Sequence, residues 1–169
     1  LDSQTDVGQG YVNGSSAVST GGTNTKVMDY GTTSKTQQMK LFGLEDFWGN
    51  VYEFIDGIFS DSNRNILTAT ENFNDTGNGY TNRGASGFSS DTGGYMSKVQ
   101  GTSEKGFVLK EKNGSETTYY SDSAYVCASR LACFGGIWSD GADTGAFRLY
   151  VNRSASSPSS NVSARLMYL

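Results

Sequence analysis

Apolar positions in this chain concentrate in a few short stretches separated by long polar ones. The densest run, MKLFGLEDFWGNVYEFIDGIF from Met39 to Phe59, is cut by Gly43, Gly49 and Gly57. Those breaks predict a short helical turn near Leu44–Trp48 and a strand near Val51–Ile55 rather than one long helix. Phe107–Leu109 and Thr117–Tyr120 flank the Lys110–Ser115 segment with its Asn113-Gly114 pair, which predicts a β-hairpin. Tyr125–Ala128 and Leu131–Phe134 read as core strands. At the end, Val162, Ala164, Leu166 and Tyr168 alternate with Ser163, Arg165 and Met167. This period of two predicts a terminal strand that buries one face and closes the sheet.

The intervening stretches lack such periodicity. Residues 1–38 are rich in Gly, Ser, Thr, Asn and Gln, with Tyr11, Val12, Val18, Val27, Met28 and Tyr30 as isolated anchors, a pattern of loops with short edge strands. Residues 60–100 repeat that composition around Phe73, Tyr80, Phe88 and Tyr95, and predict functional loops or loops packed by their own side chains. No internal repeat and no linker-like break divides the chain. The expected architecture is one α+β domain over residues 1–169, with short antiparallel strands, few helices and many loops.

Composition sharpens this picture. The 22 glycines beside a single proline, with 36% hydrophobic residues, call for abundant turns, while 12% aromatic residues supply the apolar mass that disordered chains lack. The net charge is −4 and the 13 basic residues are scattered, so no footprint for a phosphate backbone exists and nucleic acid is not an expected partner. No apolar run reaches the roughly 20 residues that cross a bilayer, and the start lacks the regions of a signal peptide. A soluble chain without membrane insertion is expected, and the absence of an initiator Met suggests the C-terminal part of something longer. Cys127 and Cys133 are the only cysteines, to be read as buried thiols or as a disulfide.

Histidine is absent, which removes Ser-His and Cys-His nucleophile pairs, histidine bases and histidine metal ligands together. Glu45, Asp46, Glu53 and Asp56 lie close in sequence but suit solvated or capping roles better than a glycosidase pair. Asp61-Ser62-Asn63-Arg64-Asn65 begins like a calcium loop, yet Ile66 replaces the turn glycine and Asn72 the bidentate Glu. It remains a noncanonical calcium candidate, and no other cofactor is expected. Phosphate-loop motifs are missing, and the Asn-x-Ser/Thr sites at Asn13, Asn74, Asn113, Asn152 and Asn161 fit chance in so Asn- and Ser-rich a chain.

Two blocks carry a family resemblance: Gly43-Leu44-Glu45-Asp46-Phe47-Trp48-Gly49-Asn50-Val51-Tyr52-Glu53-Phe54-Ile55-Asp56-Gly57, and Phe134-Gly135-Gly136-Ile137-Trp138 followed by Asn161-Val162-Ser163-Ala164-Arg165-Leu166. In order and content they resemble the GL-x-D-x-x-GNVWEW and GGxW…GAR signatures of the formylglycine-generating-enzyme-like branch of the C-type lectin fold. They cover about thirty positions and leave the rest of the chain unmatched. Catalytic members of that branch place copper-binding cysteines just after the GGxW block, or use histidines for iron. Here both cysteines precede Gly135. The chain thus resembles the non-catalytic members, among them the variable proteins of diversity-generating retroelements and phage tail-tip receptor-binding proteins.

That resemblance implies a ligand-binding variable region over residues 134–166. Adenine mutagenesis of AAC codons yields Asn, Ile, Ser, Asp, Arg and Tyr but never Lys, Glu, Gln, Met or Trp. Those five types make up 24 of the 169 residues, so about three or four are expected among residues 139–163 from composition alone, and none occurs. Ile137, Ser139, Asp140, Asp143, Thr144, Arg148, Tyr150, Asn152 and Arg153 are the candidate contacts, mixing amphipathic Tyr and Arg with small polar groups. Gly135, Gly136, Trp138 and Arg165 are assigned to the scaffold: the glycines for positive-φ or close-packed backbone, the indole as an anchor to the core. Phe47, Trp48, Tyr52 and Phe54 are read as packing rather than as a sugar platform. The implied partner is a protein or glycan receptor on a bacterial surface, bound from a virion tail or a cell surface by a homo-oligomer if the chain belongs to a tail tip. An oxidase-like enzyme using Cys127 and Cys133 and a structural decoration domain are the rival readings.

Overall fold

A computed structural model describes residues 10–101, 108–117, 123–156 and 158–164. Among them the structure is mostly β-sheet. Twelve strands occur: β1 (Lys40–Leu41), β2 (Leu44–Glu45), β3 (Tyr52–Ser60), β4 (Asn65–Thr68), β5 (Thr81–Ala85), β6 (Thr92–Tyr95), β7 (Lys98–Gln100), β8 (Val108–Glu111), β9 (Ser123–Val126), β10 (Arg130–Phe134), β11 (Leu149–Arg153) and β12 (Val162–Ser163). The described helical structure is one 3-10 turn at Gly141–Asp143.

The chain forms two compact units, each discontinuous in sequence. One comprises residues 1–53, 134–148 and 159–169, the other residues 54–133 and 149–158. Such interleaving leaves no linker for composition to reveal.

In the first unit, Met39, Leu41 and the fully buried Trp48 form the apolar cluster, with Phe47 and Ala146 packed on it. The helical turn expected at Leu44–Trp48 is not formed. Phe42 and Gly43 both adopt positive φ, 52° and 79°, so a two-residue turn folds β2 back onto β1, pairing Leu41 with Leu44. Asp46, at φ 51°, then turns the chain again, a conformation incompatible with a right-handed helix. β12 runs parallel to the start of β3, with Val162 opposite Tyr52 and Ser163 opposite Glu53. The remainder of the expected terminal strand, including Arg165, lies outside the described residues. Residues 10–38 are loops with isolated bridges at Tyr11–Thr36 and Tyr30–Lys40, as the composition predicted.

The second unit carries the sheet order β5-β4-β3-β10-β11-β9-β6. Its core gathers Ile66, Phe88, Met96, Leu109, Ala124, Val126, Ala132 and Val151. The sheet is mixed rather than antiparallel, because β9 and β11 run parallel. The stretch 60–100, expected as loops, supplies β4 to β7. β5 and β6 are the two edges of the sheet, and an edge strand with little buried surface needs no hydrophobic alternation. β8 pairs with β7, setting Leu109 opposite Val99. After it the chain stays beside β6: Gly114 donates its N–H to the Tyr95 carbonyl and Asn113 donates to the Ser97 hydroxyl. Of the expected second arm, Thr117–Tyr120, residues 118–120 lie outside the described residues.

Candidate functional site

The expected contact residues divide between the units. Ile137, Ser139, Asp140, Asp143, Thr144 and Arg148 belong to the first; Tyr150, Asn152 and Arg153 belong to the second.

In the first unit Gly135 and Gly136 take positive φ, 90° and 82°, as the scaffold reading required. A β-carbon on Gly136 would collide with the Thr144 side chain, so the backbone here approaches as only glycine allows. The Trp138 backbone is pinned on both sides: its N–H donates to Asn50 O at 3.0 Å and its carbonyl accepts from Gly14 N at 2.6 Å. Its half-buried indole donates to Asn161 Oδ1 at 3.3 Å. The wholly buried tryptophan of this unit is Trp48, edge-on to Phe47, which in turn packs on Phe134. Trp48 and Tyr52 are buried and Phe54 is half-buried, which is packing rather than a platform.

Arg148 is a correction to the contact assignment. It is only 5% exposed, and its guanidinium is held from within. Nη2 donates to the Tyr52 hydroxyl at 2.8 Å and lies 3.2 Å from Asp140 Oδ2; the Tyr52 hydroxyl donates to that same carboxylate oxygen at 2.8 Å. Asp140 Oδ2 also accepts from the Ile137 N–H at 3.0 Å. The Asp143 carboxylate stands 3.9 Å from Nη1. The guanidinium also lies 5.5 Å from the Tyr52 ring centroid. Ile137 and Thr144 are buried as well, so these three side chains fix the segment rather than face outward. Ser139 is exposed and Asp143 partly so.

The second unit presents a different arrangement. Along β9 and β11 the register sets Leu149 opposite Ala124 and Val151 opposite Val126, all in the core cluster. Tyr150 opposite Tyr125 must then point to the other face, because successive side chains alternate. The two phenol rings lie 5.2 Å apart at 37°, both half-buried. Asn152 Nδ2 donates to the Tyr150 hydroxyl at 3.3 Å, and its Oδ1 accepts from the Cys127 thiol at 3.1 Å. The Arg153 guanidinium lies 5.6 Å from the Tyr150 ring centroid. Tyr125 was expected only as part of a core strand; the alternation of Ala124 and Val126 around it is the signal that marks it as outward.

Both cysteines are free and buried. Burial pushes the Cys133 thiol up to about 12, with Arg153 pulling weakly the other way. Burial and then the Asp91 carboxylate raise Cys127, against the opposing pull of Arg130 and Arg64. Thiols held protonated in this way are poor nucleophiles and poor metal ligands.

The calcium-like segment is a β3–β4 hairpin turn. Asp61 Oδ1 accepts from the N–H groups of Asn63 and Asn65 at 2.8 and 2.9 Å, and Oδ2 accepts from Asn65 Nδ2 at 2.8 Å. Glu45 and Asp46 are likewise engaged in the first unit: Glu45 by the Gly21 and Thr23 amides and the Thr23 hydroxyl, Asp46 by Asn50 Nδ2 at 2.8 Å and Gln38 Nε2 at 2.7 Å. Among the described residues, no group of three or more Cys, Asp or Glu side chains is arranged to hold a metal ion, and no helix is long and apolar enough to cross a membrane.

Compared with known proteins, the chain matches no family model, no curated protein and no solved structure.

Proposed function

We propose that the chain is a non-enzymatic recognition domain of the C-type lectin fold, in its formylglycine-generating-enzyme-like branch, and that it binds a receptor on a bacterial surface. In this reading it acts from a virion tail or a cell surface. The observation that carries the proposal is the division of labour on β9 and β11. Ala124, Val126, Leu149 and Val151 hold the core, while Tyr125, Tyr150 and Asn152 stand on the other face and can change without disturbing it. A pair of amphipathic rings edged by an amide and a guanidinium is the composition of effective recognition surfaces, because rigid rings lose little entropy on binding. The raised thiol pKa values support the non-enzymatic part, since the oxidase-like alternative relies on Cys127 and Cys133.

The test is binding of labelled protein to intact bacterial cells, comparing wild type with Tyr150→Ala and Tyr125→Ala. Lost binding at a nearly unchanged melting temperature is the expected result. Binding indifferent to both substitutions overturns the assignment of this face.

A further inference from the structure

Resting on that recognition reading, we infer that the outward face of β9 and β11 takes an acidic glycan, with a sugar ring lying on the Tyr125–Tyr150 platform and its carboxylate met by arginines at the rim.

The shape of the face favours a flat ligand. Gly93 of β6 pairs with Tyr125, and a β-carbon there would sit 2.5 Å from Tyr125 Cδ2, so the ring reclines on bare backbone. From there the surface continues to Tyr150, whose ring is inclined at 37° to that of Tyr125. Both rings are pinned: the Tyr125 hydroxyl donates to the Asp91 carbonyl at 3.3 Å and the Tyr150 hydroxyl accepts from Asn152. Half-exposed, immobilised aromatic faces suit the C–H face of a pyranose, with Asn152 beside them as a hydrogen-bonding amide.

Charge selects the kind of sugar. Arg153 lies over Tyr150, and Arg130 lies close enough to act on both Cys127 and Asp91. Arg130 Nη1 donates to the Ser129 carbonyl, and no acid pairs with it among the described residues. Arg64 is matched by Asp91 at 2.7 Å, and Asp61, the other nearby acid, is closed within its turn. Arg130 and Arg153 thus stand beside this platform in addition to the Arg64–Asp91 pair, which points to an anionic ligand. A peptide is the less favoured occupant. The edge of β6, where an extended chain would add, is already lined by Lys112 against Gly94 and by Gly114 on the Tyr95 carbonyl.

A glycan array bearing uronate- and sialate-terminated oligosaccharides beside neutral ones, with polyglutamate as soluble competitor, provides the test. Binding should be confined to carboxylate-bearing glycans, fall with added salt, and weaken roughly tenfold or more in Tyr150→Ala and Arg130→Gln. Tyr150→Leu, which keeps bulk but removes the aromatic face, should show the same loss if the alanine variant melts early. Equal binding of neutral glycans, no binding of any carboxylate-bearing glycan, or full competition by polyglutamate overturns the inference; the last outcome identifies an acidic polypeptide instead. Cell binding that requires Tyr150 while the array stays blank sinks this inference alone. Cell binding indifferent to Tyr125 and Tyr150 sinks the recognition reading beneath it.

Discussion

The Arg148 guanidinium stands 3.2 Å from the Asp140 carboxylate, and the Tyr52 hydroxyl bonds to both, so a segment expected to vary freely is clasped from within. Removing one partner of a buried pair leaves the other charge uncompensated, at a cost of roughly 3–5 kcal/mol. Asp140→Ala should therefore destabilise the protein by about 3 kcal/mol, a melting-temperature drop of roughly 6–12 °C at this chain length. Adding Arg148→Met should recover part of that loss. Strictly additive single and double variants in a thermal melt would dissolve the clasp as a unit.

Phe42 occupies the first central position of the β1–β2 turn at φ 52°, where Asn, Asp or Gly is normally required, and it is 63% exposed. Its left-handed backbone costs about 1 kcal/mol, and an exposed ring recovers little of it. Phe42→Asn should accordingly stabilise the protein by roughly 0.5–1 kcal/mol, measured as a shift in urea midpoint at constant slope. A loss of stability would mean that the ring packs more than its exposure indicates.

The legible features were those set by short continuous apolar runs. Leu131–Phe134 falls within β10 and the first two residues of Tyr125–Ala128 within β9, because four consecutive apolar residues need burial, and Gly135-Gly136 takes the positive φ that glycines permit. Edge strands β5 and β6 were illegible, since polar sequences such as TNRGA bury too little to leave a pattern. The pairing of β8 with β7 was illegible too, since the three-residue segment Lys98–Gln100 is too short to show a period. Arg148 was placed on the surface by residue type, whereas its burial depends on Tyr52, 96 positions away.

Cys133, with its thiol raised to about 12 by burial, makes an alkaline prediction. An unfolded thiol ionises from about pH 8.5 upward, while the folded one keeps its proton, so the unfolded state gains. The contribution to stability is whole below that value and declines as pH rises toward the folded pKa. Stability should fall above about pH 8.5, and Cys133→Ala should flatten that decline while lowering stability at neutral pH. An unchanged alkaline slope in the variant, followed by denaturant melts, would assign the decline to other groups.

Glu45 makes the acid counterpart. Burial alone would raise its pKa, but the Thr23 hydroxyl, the Gly21 and Thr23 amides and the charge of Lys40 outweigh burial and hold it below the usual carboxylate value. A depressed folded pKa contributes stability that is present above the unfolded value and lost as pH falls through the folded one. Melting temperatures followed from about pH 6 down to about pH 3 should decline, and Glu45→Gln should start lower and decline less. Thr23→Val removes the first of the favourable bonds while keeping the side chain's shape, and should reproduce part of that flattening. A Glu45→Gln profile parallel to wild type would show that these bonds do not distinguish the charged carboxylate from its neutral form.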